Sequence, residues 1–351
     1  MRILQINLEK GWRGGERQTL FILQGLQAAG HSVGLAARCG GPLAQRAKEA
    51  GIPILPCRGT ADLLRALWRV RASFDVMHAQ TAQAMTVLAV LRPVLKAALV
   101  FTRRTAFQSG GRPWRQRWKW ARADALVAIS AAAAAAPRDL GLEVQLIPSA
   151  VQPMLPDPAQ VQALRARFGL DGHRVLVTAA ALSPEKDPLT LIEAVHQLRQ
   201  QHPDVVCLHC GAEGAAAAGA RARVDALGLQ KHYLFAGFQS QVGNVLAVAD
   251  VYVSSSRFEA LGTSVLDACL AGLPVVATRV GGHPEILLPD RGLLVPAGDA
   301  AHLAQRLAWV LDHRDAAREM AERAQAHVRQ EYSVPAMVER YLRLYRGVVS
   351  N

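Results

Sequence analysis

Two carboxylates frame a short loop in the stretch RFEALGTSVLDACLAGLPVVAT: Glu259 and Asp267 stand eight positions apart, with Leu261, Gly262, Thr263 and Ser264 between them. The strand-like run VYVSS precedes the loop, and a helical pattern starts near Thr263. A helix start offers free backbone N–H groups and about half a positive charge, which suits a phosphate or diphosphate. Gly262 would let an anion approach the backbone closely, and Thr263 or Ser264 would add a hydroxyl. Asp267 falls about one turn further on, roughly 6 Å along the axis at ~1.5 Å per residue. A carboxylate there can accept two hydrogen bonds from a vicinal diol such as ribose. Glu259, beyond the diphosphate, can do the same for a second sugar. One element would then hold sugar, diphosphate and ribose in order. The same spacing also suits a capping acid followed by a surface aspartate.

The elements that would carry this loop are short apolar strands alternating with helices. RILQINL, SVGLAAR, IPILPC, DVMHAQ, AALVFT and DALVAIS read as buried strands in the first half. RVLVTAA, DVVCLHC, HYLFAG, VYVSS, PVVAT and GLLVP repeat the theme in the second. Such alternation predicts α/β architecture with parallel sheets covered on both faces. Between the halves, VQLIPSAVQPMLPDP carries four prolines from Pro148 to Pro158, a linker composition. A chain of 351 residues favours two domains. The expected division is 1–155, 156–332 and a C-terminal helix over 333–351 that packs back toward the first domain. In open α/β sheets ligands sit off the carboxyl ends of the strands, so the cleft expected between two such domains is the default site. No G-x-G-x-x-G follows a strand, and no Walker lysine motif is present.

A net charge of +12 asks for an anionic partner: nucleic acid, a membrane surface or a phosphorylated substrate. Arg112, Arg115, Arg117 and Lys119 interleave with Trp114, Trp118 and Trp120, and Arg103-Arg104 lies just upstream. This segment reads either as a solvated, partly core-packed helix or as a membrane-interface helix. A recognition helix or stacking motif for nucleic acid is lacking, so no nucleic-acid partner is expected. The apolar stretch from Ala84 to Phe101 is broken by Arg92, Pro93 and Lys96, which rules it out as a clean span. Five cysteines with no framework spacing argue for a reducing compartment. Cys207 and Cys210 form a C-x-x-C without a second pair, in what reads as a buried strand; no metal site and no cofactor is expected. No signal peptide is visible, and the expected location is cytoplasmic, with attachment to the inner face of the plasma membrane as an option.

The 254–288 segment resembles the signature of the retaining family-four glycosyltransferases of the GT-B fold. PVVATRVGGHPEIL continues the match, as do DVMHAQ, the Gly14-Gly15 loop, LIPSAV and LSPEKDPLTLIEAV with Lys186. The resemblance implies two Rossmann-like domains facing a cleft, and transfer of a sugar from a nucleoside-diphosphate donor. It implies that Lys186 pairs with the donor diphosphate and Glu259 binds donor-sugar hydroxyls. Leu261, Gly262, Thr263 and Ser264 would supply contacts to the phosphates, Asp267 would hold the ribose, and Gly14 and Gly15 would meet the distal phosphate. Three departures stand out. The second acid is Asp267 where glutamate is commoner, and Ala181 stands where a basic residue often precedes the lysine. Arg103-Arg104 occupies the place of a histidine near the reacting carbon; Arg103 could steady a phosphate but is a poor proton carrier. His78, at the end of a strand, is either catalytic or packed in the core.

The expected reaction is metal-independent hexosyl transfer from a UDP-linked sugar to a lipid-linked glycan such as a lipopolysaccharide core, by a monomer that touches anionic membrane through its basic N-terminal half. A soluble sugar or sugar-phosphate acceptor, and a UDP-sugar 2-epimerase on the same fold, are the rival readings.

Overall fold

The computed structural model describes residues 1–107 and 112–350. It forms two compact units, Met1–Ala150 with the residues from Tyr332 on, and Val151–Glu331. In the first unit β1 (Arg2–Asn7), β2 (Ser32–Arg38), β3 (Ile54–Cys57), β4 (Val76–Ala79), β5 (Ala98–Arg103), β6 (Ala125–Ala128) and β7 (Gln145–Leu146) form one sheet in the order β3-β2-β1-β4-β5-β6-β7. In the second, β8 (Arg174–Ala179), β9 (Val205–Cys210), β10 (Tyr233–Gly237), β11 (Val251–Ser254), β12 (Val275–Thr278) and β13 (Leu293–Val295) form a sheet in the order β10-β9-β8-β11-β12-β13. Every pairing is parallel. The strand order therefore reverses between β1 and β4 in one sheet, and between β8 and β11 in the other. Those are the points where an open α/β sheet leaves a crevice beyond its carboxyl ends.

The strands are apolar on both faces because both faces are covered; all six residues of β9 are buried. One face of the first sheet packs against Phe21, Ile22 and Leu26 of the helix Gly14–Ala28 and against Met337, Tyr341 and Tyr345 of the helix Val334–Val349. The other face packs against Leu63 and Leu67 of the helix Thr60–Arg69, Met85 and Leu88 of the helix Ala82–Leu91, and Trp120 at the end of the helix Pro113–Trp120. Fully burying one such aliphatic side chain contributes roughly 1.5–3 kcal/mol. In the second unit the helices Pro188–Leu198 and Ala300–Asp312 do the same through Leu191, Val195, Leu303 and Leu307.

Two helices carry little signal in the sequence pattern. Pro158–Phe168 begins at the last proline of the proline-rich segment; none of its residues is buried, so it carries no apolar stripe to read. Its start is set by Asp157, whose Oδ1 accepts from the amides of Ala159 and Gln160 at 3.0 and 3.4 Å. His283–Leu287 is a five-residue helix beyond β12. Gly14 and Gly15, read as a loop, belong instead to the first turn of the helix Gly14–Ala28.

Candidate active site

Loops following β8, β11 and β12 converge in the second unit. After β8 the chain makes a short 3₁₀ turn, Pro184–Lys186, and then places Asp187 in the left-handed region at φ 47°. A non-glycine residue there costs energy unless its surroundings fix it. Asp187 is fixed twice: its carboxylate accepts from Thr190 Oγ1 at 2.7 Å, at the start of the helix Pro188–Leu198, and from Arg257 Nε at 2.7 Å. The Ser255 hydroxyl donates to the carbonyls of Lys186 and Asp187 at 3.0 and 2.9 Å, and the Arg257 amide donates to Glu185 O at 2.8 Å. The loop after β11 is thus stitched to the loop after β8 by backbone and side chain alike.

That stitching brings Lys186 against Glu259. The ammonium donates to Glu259 Oε1, and the Ser256 hydroxyl donates to the same oxygen at 3.1 Å. Both side chains are partly covered, Lys186 25% and Glu259 13% exposed, so water screens the pair incompletely.

The loop after β12 supports Glu259 from behind. A Cβ added to Gly281, which lies at φ 52°, would stand 1.9 Å from Glu259 O, so only glycine fits this approach. The next element, Thr263–Leu270, starts after Gly262 at φ 98°. A Cβ on Gly262 would stand 2.7 Å from His283 Nε2. His283 is fully buried, and its Nδ1–H donates to Thr278 O at 2.8 Å, leaving Nε2 as a bare acceptor. Among the described residues that nitrogen has no hydrogen-bond partner. Burial lowers the His283 pKa, with Glu259 opposing it, which keeps the ring neutral. His283 lies in the GGHPEIL run, yet nothing in its type or spacing separates it from a core residue. Tyr252, on β11, is the other site residue that the sequence pattern does not reveal. Its buried hydroxyl accepts from the Ala179 amide at 3.4 Å, and burial raises its pKa.

Asp267 is buried in the helix Thr263–Leu270 and lines a small cavity of about 170 Å³ with Met154, Gly243 and Leu246. Leu261 is buried beneath the loop, and Thr263 and Ser264 open the helix. Lys186, Glu259 and the mouth of this helix therefore lie together at the carboxyl ends of β8 and β11.

The first unit disperses its candidates. His78 is fully buried: Nδ1 meets Tyr345 Oη and Nε2 meets Thr102 Oγ1, each at 2.7 Å. Gln5 Nε2 donates to Tyr345 Oη at 3.1 Å, and Thr102 Oγ1 lies 2.9 Å from Tyr341 Oη. This satisfied network seats the helix Val334–Val349 on the sheet, and burial holds the His78 pKa well below its usual value. The geometry is that of a packed core histidine, not of an exposed proton carrier. Arg103 is likewise spent inside its unit, donating to Ala133 O and Phe107 O at 2.5 Å each and stacking 5.6 Å from the Trp120 ring. Its neighbour Arg104 is the one beside the glycines that open the helix Gly14–Ala28. It donates to Gln80 Oε1 at 2.7 and 3.0 Å and to Ser149 Oγ at 3.1 Å, and its Cδ lies 3.8 Å from where a Gly15 Cβ would be. Arg103 ends β5 and turns inward, while Arg104, the first residue past the strand, reaches toward Gly15.

Cys207 and Cys210 are buried in β9, where burial raises both thiols, Cys210 to about 12. Among the described residues no three His, Cys, Asp or Glu side chains form a metal-binding group.

Residues 160–327 match the family model described as Glycosyl transferases group 1, and residues 12–155 match that described as Glycosyltransferase Family 4. The 2-deoxystreptamine glucosyltransferase of Streptomyces kanamyceticus is 33% identical over 176 residues, 48% of this chain and 45% of that protein. The lipopolysaccharide core biosynthesis glycosyltransferase LpsE of Rhizobium meliloti (strain 1021) is 33% identical over 157 residues, 44% of each. The chain thus spans less than half the length of these curated relatives. The crystal structure of Anabaena Alr3699/HepE in complex with UDP superposes with a TM-score of 0.87 over 99% of this chain and 100% of that one, at 20% identity. This likeness shows the fold to be GT-B, with its two parallel-sheet α/β domains.

Proposed function

Because the chain belongs to the family-four glycosyltransferases, carrying the two domains that the group 1 and Family 4 models describe, we propose that it moves a hexose from a UDP-linked donor to a lipid-linked glycan such as a lipopolysaccharide core, with retention at the anomeric carbon. The observation that carries this reading is the ion pair of Lys186 and Glu259 at the mouth of the helix Thr263–Leu270. In it a cation for a diphosphate and a carboxylate for sugar hydroxyls are pre-set side by side. The UDP held by HepE supports the nucleotide, and the name of LpsE supports the acceptor.

In the proposed reaction the bond between the anomeric carbon and the diphosphate oxygen breaks while the acceptor oxygen adds on the same face. The acceptor's proton passes to the departing diphosphate, so no protein nucleophile is needed. Lys186 and the amides of Thr263 and Ser264 take up the charge that develops on the leaving group, and no metal is required for it. Glu259 fixes the donor sugar through its hydroxyls, Leu261 and Gly262 shape the phosphate approach, and Asp267 holds the ribose. Peripheral contact with anionic membrane brings the enzyme to its acceptor.

A second reading keeps the chemistry and changes the acceptor to a small soluble sugar; the 2-deoxystreptamine glucosyltransferase match favours it. The test is a panel of UDP-, GDP- and ADP-sugars offered with extracted envelope glycolipid or with soluble sugars, read by mass spectrometry. A one-hexose mass gain on the glycolipid with a UDP-sugar is expected. A gain only on the soluble sugar favours the second reading, and nucleotide-sugar turnover without any acceptor product contradicts both.

A further inference from the structure

The helices Thr60–Arg69, Ala82–Leu91 and Pro113–Trp120 form one layer over the first sheet, each turning apolar residues inward onto the same core. Their outward side is unusual. Trp68 is 50%, Val90 58%, Trp114 60% and Trp118 43% exposed, and Leu64 joins Trp68 four residues earlier on its helix. Isolated exposed hydrophobics are ordinary, but three tryptophans on neighbouring helices mark a contact surface.

Each of these tryptophans carries its own arginine. Arg71 lies 5.2 Å from the Trp68 ring, Arg115 5.2 Å from Trp114 and Arg122 4.5 Å from Trp118. The helix Pro113–Trp120 contains no acid, and the middle helix Ala82–Leu91 contains no charged residue at all. Asp62, on the first of these helices, pairs with Arg65 at 3.1 Å, and Asp124, just past the last, pairs with Arg92 at 2.8 Å. The layer is therefore positive and aromatic together, with an uncharged strip along its middle.

We infer that this three-helix layer docks flat on a bilayer surface bearing anionic headgroups, the tryptophans entering the headgroup region and their stacked arginines meeting lipid phosphates. Indole rings settle where apolar and wet phases meet, and each cation near such a surface adds attraction that salt weakens. The inference deepens the membrane contact proposed above by naming its face and chemistry. It does not depend on which sugar the enzyme moves.

Co-sedimentation with vesicles of phosphatidylcholine plus phosphatidylglycerol, against vesicles of phosphatidylcholine alone, tests it. The expected result is binding stronger to the anionic vesicles by on the order of tenfold or more, and released by salt. The double variant Trp114→Ser/Trp118→Ser, whose residues are exposed, should keep its melting temperature and lose roughly tenfold in vesicle binding. Arg115→Glu/Arg122→Glu should lose at least as much. Equal binding to both vesicle types, or undiminished binding by both variants, overturns the proposal. So does self-association in sedimentation velocity that the same substitutions abolish, or duplex DNA bound more tightly than the vesicles. UDP binding is measured in parallel on every protein: if it is absent while vesicle binding behaves as expected, the transferase reading fails and this one stands.

Discussion

The Lys186 ammonium rests on the Glu259 carboxylate although 73 positions separate them in the chain, and the Ser256 hydroxyl shares the same carboxylate oxygen. Two adjacent parallel strands, β8 and β11, make this meeting possible, since their carboxyl-end loops lie side by side.

If the pair serves the donor, its members should matter far more for turnover than for folding. Glu259→Gln keeps the shape and the Ser256 contact, and Lys186→Met keeps most of the chain length. Each is expected to lower kcat/KM by roughly 10²–10³, the usual loss for one preorganised electrostatic group, while circular dichroism melts stay within a few degrees of the parent. Turnover near the parent level in either variant would refute the assignment.

Gly281 gives a sharper structural prediction. Gly281→Ala forces a Cβ to within 1.9 Å of Glu259 O at a φ of 52°. The loop bearing Glu259 must shift, so activity should fall at least as far as in Glu259→Gln, with about 2 kcal/mol or more of stability lost. Gly59→Ala, where nothing lies within 4 Å, is the control and should be silent in activity.

The buried histidines make stability depend on pH with a definite sign. His209 Nε2–H donates to Ala180 O at 2.9 Å and Nδ1 accepts from Tyr233 Oη at 2.6 Å, and burial pulls its pKa from 6.5 to about 4. The unfolded chain binds a proton below pH 6.5 that the folded chain refuses down to about 4. Stability is therefore complete above that window and lost as pH falls through it, by about 2 kcal/mol at pH 5 from His209 alone. His78 and His283 act in the same direction. Urea unfolding at pH 7.5 and pH 5 should show the loss, and His209→Asn should reduce it; an unchanged pH dependence in that variant would show that His209 does not contribute.

The thiols make a separate prediction. Cys39 is exposed, whereas Cys57, Cys207, Cys210 and Cys269 are buried, with Cys57 raised to about 11 and Cys269 to about 12. A thiol reagent at neutral pH should find one fast site in the native protein and the rest only after denaturation. A fast Cys207 or Cys210 would mean that β9 opens.

Much of this architecture was legible because most strands are dominated by buried apolar residues and some helices begin on a capping residue. Ser130 caps the alanine run as its type suggests, its hydroxyl accepting from the Ala133 amide at 3.0 Å. Glu259, Gly262 and Asp267 were legible from spacing around a helix start. What stayed hidden depended on distant partners. His78 looks like a strand-end residue until Tyr345, 267 positions later, closes over it. Arg103 and Arg104 are alike in sequence, and only the folded chain shows one reaching Ala133 O and the other Gln80. His283 shows its character only where Gly262 presses on its ring.

Isothermal titration of UDP into the parent protein and into Lys186→Met asks whether the ion pair receives the donor. The parent should bind UDP, and the variant should bind it at least ~10-fold more weakly, the cost of one charge-assisted phosphate contact. Equal affinity in the two proteins would contradict the role assigned to Lys186, which is to meet the donor's diphosphate beside Glu259.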